Sequence, residues 1–378
     1  MAHSERLSQW MAIVSKQLPS LTSSQAGVLG AYSYGMVMTK HCGQTFVSDY
    51  LAELELDSAA NVSERLREWC YDAADKRGQH RQQVEIDQCF APLLRWVLVG
   101  WAVEQAQLVL ACDASYLSDR FIVLSISVVY RACALPVAWK IIPANTPGSW
   151  QPHWCKLLQR LAPAVPATWQ VLVLTDRGLY AKWLFLGITT LGWHPLLRIR
   201  AQGLFRRSPH TRWRQLSLLV KRKDYRWAER VTCFHNAPGQ LDCTLLAAWT
   251  AGHREPWLLI SDLSPDGAQL SWYAMRAWIE CGFKDFKRGG WHWEQTKMTR
   301  PERAERLWFV MAVATLWVLS VGGETDAQRI ALAPTATSPR ELSCFSQGLN
   351  RIQVACDRNE PLPLGRFIPD YGLPLFQP

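Results

Sequence analysis

The first hundred residues show helical hydrophobic patterns separated by short polar breaks. Apolar residues recur at the three- and four-residue spacing of an amphipathic helix. Breaks such as Pro19-Ser20 and Asp57-Ser58 divide the segments. The pattern predicts five helices, over residues 7–18, 24–39, 45–54, 63–75 and 84–103. We therefore expect an all-helical region that ends at about residue 105.

The pattern then changes to short, continuous apolar runs. Runs at 108–112, 121–130, 134–142 and 170–174 predict buried strands, and helical patterns lie at 153–161 and 181–190. Asp113 follows the first run and Asp176 follows the fourth. Each aspartate is therefore expected at the C-terminal end of a strand. A single aspartate in such a place is most often a turn or capping residue, so neither position assigns a chemistry by itself.

A strongly basic segment follows the second aspartate. Eleven lysines and arginines lie between Arg198 and Arg230, against only Asp224 and Glu229. Short apolar runs at 216–220, 231–234 and 243–248 alternate with turn signals. This pattern predicts a β-rich insertion at about residues 199–262. Its charge suits a phosphate backbone, although a solvated basic surface would look the same.

The stretch 271–291 places four polar residues at helical spacing. At about 100° per residue, all four fall within an arc of roughly 60°. They are Tyr273, Arg276, Glu280 and Lys287. An apolar strip on the far side comprises Met275, Trp278, Ile279, Gly282 and Phe286. We therefore predict a helix that packs through one face and presents a carboxylate, two cations and a phenol on the other.

The spacing Tyr-x2-Arg-x3-Glu-x6-Lys resembles the signature of the DDE transposases of the insertion-sequence-four family. The resemblance implies an α/β fold with an RNase H-like catalytic core, in the order strand, strand, strand, helix, strand, helix. It also implies that Glu280 joins Asp113 and Asp176 as the third catalytic, metal-binding carboxylate. One departure is that Ala-Ser follows Asp113, where the family more often has threonine two positions on. The subgroup and the target-site preference therefore stay open.

Three carboxylates suit the chemistry that this resemblance implies. Phosphoryl transfer uses two divalent cations about 3.5–4 Å apart, and Mg²⁺ prefers oxygen ligands. We expect two Mg²⁺ ions, with Mn²⁺ as a substitute, and cut-and-paste transposition through a hairpin intermediate. In the same family Tyr273, Arg276 and Lys287 would hold the phosphates of the transposon end.

Two further residues match DNA-contacting positions of the family. Trp257 corresponds to a tryptophan that receives a base flipped out of the terminal duplex. Arg198 corresponds to an arginine near the active site, although Arg200 is an equally good candidate. Because the chain has 20 tryptophans, a core role for Trp257 is an open alternative.

Composition agrees with a nucleic-acid partner. The formal net charge is +9 and the pI is near 9.1, which favours a polyanion. The resemblance implies more, namely that the partner is double-stranded DNA, both transposon ends and target, bound by a homodimer in the bacterial cytoplasm and its nucleoid. Eleven cysteines without paired spacing suit reduced thiols. No signal peptide is evident, and the apolar stretch 307–323 is shorter than the roughly 20 residues of a spanning helix, so we expect a buried helix and no membrane.

The chain thus divides into three predicted regions. Residues 1–105 form a helical DNA-binding region and residues 106–325 the catalytic domain with its insertion. Residues 326–378 contain a helix at 340–354 and an irregular end from 361, and could contact DNA or a second subunit. Three other functions stay open, namely an RNase H-like nuclease without transposition, a non-catalytic DNA-binding regulator and a glycosidase. The glycosidase would leave the cations of the stretch 271–291 unexplained.

Overall fold

The computed structural model describes residues 3–77, 81–101, 106–220, 222–249, 254–332 and 341–369. Five α-helices form its N-terminal part: α1 (His3–Gln17), α2 (Ser23–Thr39), α3 (Gln44–Glu55), α4 (Ala59–Trp69) and α5 (Phe90–Leu98). The first three agree closely with the prediction. Helix α4 begins four residues earlier than expected because Ser58 caps it, accepting a hydrogen bond from the Asn61 N–H.

The prediction of one long fifth helix over 84–103 is wrong in its extent. Residues Ile86–Gln88 form a separate 3-10 turn, and α5 covers only nine residues. Residues 102 and 103 of the predicted helix lie outside the described residues. The apolar spacing continues through this 3-10 turn, so the pattern does not show where the helix is interrupted.

A single mixed sheet dominates the centre of the chain. Within the described residues it has ten strands, in the order β3-β2-β1-β4-β5-β10-β9-β8-β6-β7. The strands are β1 (Gln107–Leu117), β2 (Phe121–Tyr130), β3 (Cys133–Pro143), β4 (Gln170–Thr175), β5 (His194–Arg198), β6 (Leu204–Arg206), β7 (Arg214–Gln215), β8 (Arg226–Cys233), β9 (Leu241–Ala248) and β10 (Trp257–Ser261). Helices α6 (Gln151–Leu161) and α7 (Lys182–Thr190) flank β4 in sequence. The predicted β1-to-α7 order of elements is confirmed.

Strand β1 occupies a central position in this sheet. It pairs antiparallel with β2 and parallel with β4. The expected strand end at Cys112 is wrong, since Asp113 pairs with Ser125 and β1 continues to Leu117. The longer strand is favoured because β2 pairs with β1 from Leu110 to Leu117, five residues beyond the last pair with β4 at Cys112.

The β-rich segment extends the same sheet. Strand β10 pairs antiparallel with both β5 and β9, which joins β6 to β9 onto the edge of the first five strands. The predicted runs at 231–234 and 243–248 fall in or at the ends of β8 and β9. The run at 216–220 is instead a 3-10 turn at Leu216–Leu218. Lys221, one of the eleven basic residues, lies outside the described residues.

The segment predicted as one continuous helix at 271–291 is divided. Residues Leu270–Ala277 form a 3-10 helix, and α8 covers Trp278–Phe286. Lys287 lies just past the end of α8. The change of helix type at Ala277 rotates Tyr273 relative to the residues of α8, since a 3-10 helix has three residues per turn.

Two helices complete the core. Helix α9 (Pro301–Leu332) packs against α2, β3 and α10 (Cys344–Asp357). By length and composition the stretch Pro301–Arg329 could cross a membrane, but 94% of its apolar window is buried within the fold. The predicted buried helix is thereby confirmed. Residue 340 and residues 370–378 of the predicted C-terminal pieces lie outside the described residues.

Close backbone contact and a buried ion pair hold these helices. A Cβ atom at Gly322 or Gly348 would overlap backbone of the facing helix, so glycine permits the approach of α9 and α10. Asp326 on α9 accepts a hydrogen bond from Arg131 at 2.8 Å, and both side chains are buried. All eleven cysteines are free thiols, as the sequence predicted.

Candidate active site

The register of β1 and β4 brings Asp113 and Asp176 together. The last parallel pair of these strands joins Cys112 to Thr175. Asp113 is the next residue of β1 and Asp176 directly follows the end of β4, so the two side chains start from neighbouring backbone positions. The 63-residue separation in sequence is thus closed by the parallel pairing of two buried strands.

Backbone N–H groups fix one oxygen of each aspartate. The Ala114 N–H donates to Oδ1 of Asp113 at 2.8 Å. The N–H groups of Gly178 and Leu179 donate to Oδ1 of Asp176 at 2.7 and 3.1 Å. The Oδ2 atoms stay available for another partner.

Arg276 is that partner, and it joins all three predicted carboxylates. Its Nη2 lies 2.6 Å from Oδ2 of Asp113 and 3.8 Å from Oδ2 of Asp176. Its Nη1 lies 2.6 Å from Oε1 of Glu280, one helical turn further along. The two aspartate oxygens can be no further apart than the sum of their distances to Nη2, about 6.4 Å. The structure therefore gathers Asp113, Asp176 and Glu280 around one guanidinium.

Burial and the positive charge of Arg276 shift the pKa of Asp113 in opposite directions. Burial raises its pKa to about 6, Arg276 opposes this shift, and the neighbouring carboxylate of Asp176 adds to it. Burial would lower the pKa of Arg276, but Asp113 and the other nearby acidic groups raise it. The cluster therefore contains more negative charge than a single arginine neutralises.

This donor set fits a hard divalent cation. Carboxylate oxygens are the ligands that Mg²⁺ prefers, and the side chain of Glu280 is 64% exposed. Within the described ranges, no three His, Cys, Asp or Glu side chains are arranged as a ready metal cage. The guanidinium of Arg276 is instead the cation that contacts all three carboxylates.

The four residues of the 271–291 pattern do not form one stripe. Arg276 and Glu280 join the carboxylates, but Tyr273 is buried against Trp257, with ring centroids 5.2 Å apart. Burial raises the pKa of Tyr273 to about 12. Lys287 donates to Oγ of Ser115 at 2.9 Å and to the carbonyl oxygen of Tyr116 at 3.0 Å. The predicted single face is therefore wrong, although every member lies near β1 or the carboxylates.

Trp257 and Arg198 lie on the two adjacent strands β10 and β5. Trp257 is partly buried and lines a cavity of about 580 Å³ together with Trp227 and Leu270. Nη2 of Arg198 lies 3.8 Å from Oε2 of Glu255, and the positive charge of Arg198 opposes the rise that burial causes in the pKa of Tyr273. Trp257 is thus neither fully core nor fully exposed.

Two charged neighbours of the site were missed by sequence reasoning. Glu255 contacts both Arg198 and Arg177. Arg177 directly follows Asp176 and Glu255 precedes Trp257 by two residues, so proximity to predicted site residues was the signal that could have found them.

Comparison with known proteins places the chain in a class. The transposase DDE domain family matches residues 129–317, half of the chain, so this protein belongs to the transposase DDE domain family. The match contains Asp176, Arg276 and Glu280 and begins after Asp113.

A solved structure and the curated proteins give two further results. The cryo-EM structure of a piggyBac transposase synaptic complex with hairpin DNA is similar at a TM-score of 0.43 and 11% identity, over 92% of this chain and 76% of that one. No curated protein matches the sequence.

The raised pKa of Asp113 gives a stability prediction. The pKa of Asp113 in the folded protein, about 6, exceeds the ordinary value of 3.8. Above pH 6 the carboxylate is ionised in the folded protein, which lowers the free energy of unfolding. Below about pH 4 the group is protonated in both the folded and the unfolded states, and this cost disappears. Without metal, Asp113→Asn should raise the free energy of unfolding by about 1–3 kcal/mol at pH 7.5. The gain should shrink as the pH falls through 6.

Urea denaturation at pH 4.5, 6.0 and 7.5 in EDTA measures this difference. Asp119→Asn, the same change at an exposed position between β1 and β2, is the matched control and should have no such pH dependence. A loss of stability in Asp113→Asn at pH 7.5 would contradict the assignment, because it would mean that the pairing with Arg276 outweighs burial.

Proposed function

We propose that this transposase-family protein cuts insertion-sequence ends and joins them to target DNA, using Asp113, Asp176 and Glu280 as its catalytic carboxylates. The observation that carries the proposal is their convergence on Arg276 from three separate elements, β1, the end of β4 and α8. Such clustering costs electrostatic repulsion, which a protein rarely retains without a use for the site.

The architecture supports an RNase H-like core of the insertion-sequence-four type. The meander β1-β2-β3, with β4 parallel to β1 and β5 parallel to β4, gives the local order β3-β2-β1-β4-β5. The helical residues 1–105 would bind DNA, and residues 106–325 would form the catalytic domain. Residues 326–378 would contact DNA or a second subunit of a homodimer, acting in the bacterial cytoplasm.

The carboxylates would hold two Mg²⁺ ions, or Mn²⁺ in their place. When bound, such ions supply charge stabilisation for the attacking and leaving oxygens of phosphoryl transfer. The chain itself positions the ligands, since backbone N–H groups fix Oδ1 of Asp113 and Asp176. Arg276 would release Asp113 and turn to a DNA phosphate, for which its planar fork is suited.

Lys287 and Tyr273 would support the end of the cleaved strand. Lys287 is held at Ser115 and Tyr116, on the same strand as Asp113. Its pKa is lowered by burial, and a phosphate close by would favour its charged form. Arg198 lies close enough to Tyr273 for its charge to act on the phenol, so both would face the same phosphate, with Arg198 as the charged contact.

A flipped base would occupy the cavity beside Trp257. The space of about 580 Å³ has apolar and aromatic walls with Arg226 at its edge. Stacking on Trp257 would partly offset the few kcal/mol that flipping costs. This arrangement favours cleavage through a hairpin over hydrolysis of both strands.

Replacement of Asp176 should separate cleavage from binding. Asp176→Asn keeps an oxygen for the N–H groups of Gly178 and Leu179 but removes a metal-binding charge. We expect cleavage of end DNA in Mg²⁺ or Mn²⁺ to fall at least about 100-fold, with binding changed less than about twofold. Gel shift and cleavage assays measure the two activities.

Asp242→Asn is a control, because Asp242 is an exposed residue of β9. Equal losses of binding and cleavage in Asp176→Asn would indicate a folding role instead. Cleavage without joined product from paired ends would identify a nuclease that does not transpose.

Loss of Trp257 should act after the first nick. Because the tryptophan binds no metal, Trp257→Ala should leave nicking nearly intact and slow hairpin formation about five- to 150-fold, from roughly 1–3 kcal/mol of stacking. Denaturing gels of end-labelled DNA resolve nicked, hairpin and fully cut products. Trp213→Ala, at another partly buried tryptophan of the β-rich segment, is the control, and equal slowing of all steps by Trp257→Ala would assign Trp257 to the core.

A further inference from the structure

Glu255 joins two arginines at the edge of the carboxylate cluster. Its Oε2 contacts Nη1 of Arg177 and lies 3.8 Å from Nη2 of Arg198. The three residues come from different places, namely the loop after β4, the end of β5 and the residues before β10. One carboxylate thus connects three segments that surround Asp176.

A cleft of about 720 Å³ opens beside this contact. Its lining includes Asp176, Arg177, Arg200 and Glu255, together with the apolar Ile199 and Leu258. Arg200 is exposed, and no carboxylate in the described part of the chain lies within ion-pair distance of it. A proposed catalytic aspartate and two arginines therefore line the same cleft.

We propose that this cleft binds the phosphodiester backbone of a DNA strand through Arg177 and Arg200, which line it, and through Arg198, which lies next to Glu255. Glu255 occupies the phosphate position until DNA displaces it. The inference rests on the proposed function and adds a second phosphate site to it. A phosphate held by Arg177 would lie one residue from Asp176, so the site would fix the strand next to the reacting phosphate.

The exposed fractions of the side chains around Arg276 and Arg177 support exchange at Glu255. In the contact of Arg276 with Asp113 the side chains are only 15% and 16% exposed. Those of Arg177 and Glu255 are 47% and 55% exposed, and exposed ion pairs are weak and screened by salt. A phosphate, which accepts two parallel hydrogen bonds from one guanidinium, can therefore replace Glu255 at low cost.

Arg198 would stay in place during this exchange. Its side chain is only 19% exposed, and its Nη2 lies 3.8 Å from Oε2 of Glu255. Burial would hold Arg198 in place, so loss of the carboxylate would release two positively charged groups, one of them already fixed. Glu255 would act as an internal competitor whose removal strengthens binding.

The salt dependence of DNA binding tests this competition. The probe is a fluorescein-labelled duplex of about 25 base pairs of arbitrary sequence, titrated with full-length protein in EDTA so that no cutting occurs. Each phosphate contact adds about 0.9 to the slope of log K against log salt concentration. Glu255→Gln should bind about three- to tenfold more tightly at 50 mM salt, and one added contact would make its affinity fall about three- to fourfold more between 50 and 200 mM.

Glu302→Gln is the control for charge. Glu302 is an exposed residue near the start of α9, outside the segments proposed to contact DNA, so its replacement makes the same change in net charge away from the cleft. Its salt slope should equal that of the wild type. Equal behaviour of Glu255→Gln and Glu302→Gln would overturn the inference, because general charge would then explain any gain.

Arg177 provides the second arm of the test. The increase in log K for DNA binding that Glu255→Gln produces should be at least halved in an Arg177→Ala background. Arg177→Lys should restore part of that increase. A gain that persists in full without Arg177 would overturn the inference. Melting temperatures of all variants show whether they are folded, and the Glu255→Gln comparison stands even if Arg177→Ala does not fold.

A second duplex, which carries the terminal repeat flanking the gene, shows whether the bound strand belongs to the transposon end or to other DNA. A gain confined to that duplex would assign the cleft to the transposon end, and an equal gain on both duplexes would assign it to target or flanking DNA. Wild-type protein that binds neither duplex would refute the proposed function as well. Wild-type protein that binds and cuts, but whose Glu255→Gln variant behaves like Glu302→Gln, would refute only the proposal for the cleft.

Discussion

The site depends on holding three carboxylates together against their mutual repulsion. Parallel pairing of β1 with β4 fixes two of them at neighbouring positions, and Arg276 reaches all three. Burial raises the pKa of Asp113 to about 6 even with that arginine present. The protein thus maintains an excess of negative charge at a buried sheet position, and a divalent cation is the partner that would balance it.

Much of this arrangement was predictable from sequence because it rests on buried strands. Continuous apolar runs located β2, β3 and β4 to within one residue, and Asp176 directly after β4. Asp113 was expected at the end of β1 but lies within it. The change from 3-10 to α-helix at Ala277 was not predictable, since apolar spacing does not distinguish three from 3.6 residues per turn over so short a segment. The position of Tyr273 was wrong for that reason, and the position of Lys287 was wrong because α8 ends at Phe286. Arg276 and Glu280, one turn apart, were placed correctly on one side.

Two kinds of arginine contact serve different purposes around the site. Arg276 is largely buried and organises the carboxylates, while Arg177 is half exposed and is paired with an exposed glutamate. Desolvation strengthens the first contact and solvent screening weakens the second. A sequence can show that a segment is basic, but only the fold shows which arginines are free to exchange a carboxylate for a phosphate. Here the pairing of β10 with β5 brings Glu255, which precedes β10, close to Arg198 at the end of β5.

The most direct test of the central claim is diffraction from crystals of the full chain grown with Mn²⁺, with data collected at the manganese absorption edge. We expect anomalous peaks at Asp113, Asp176 and Glu280, about 3.5–4 Å apart when two ions are bound, with Arg276 no longer bonded to Asp113. Manganese peaks only at other residues, with the three carboxylates still closed on Arg276, would contradict the assignment of this cluster as the catalytic metal site.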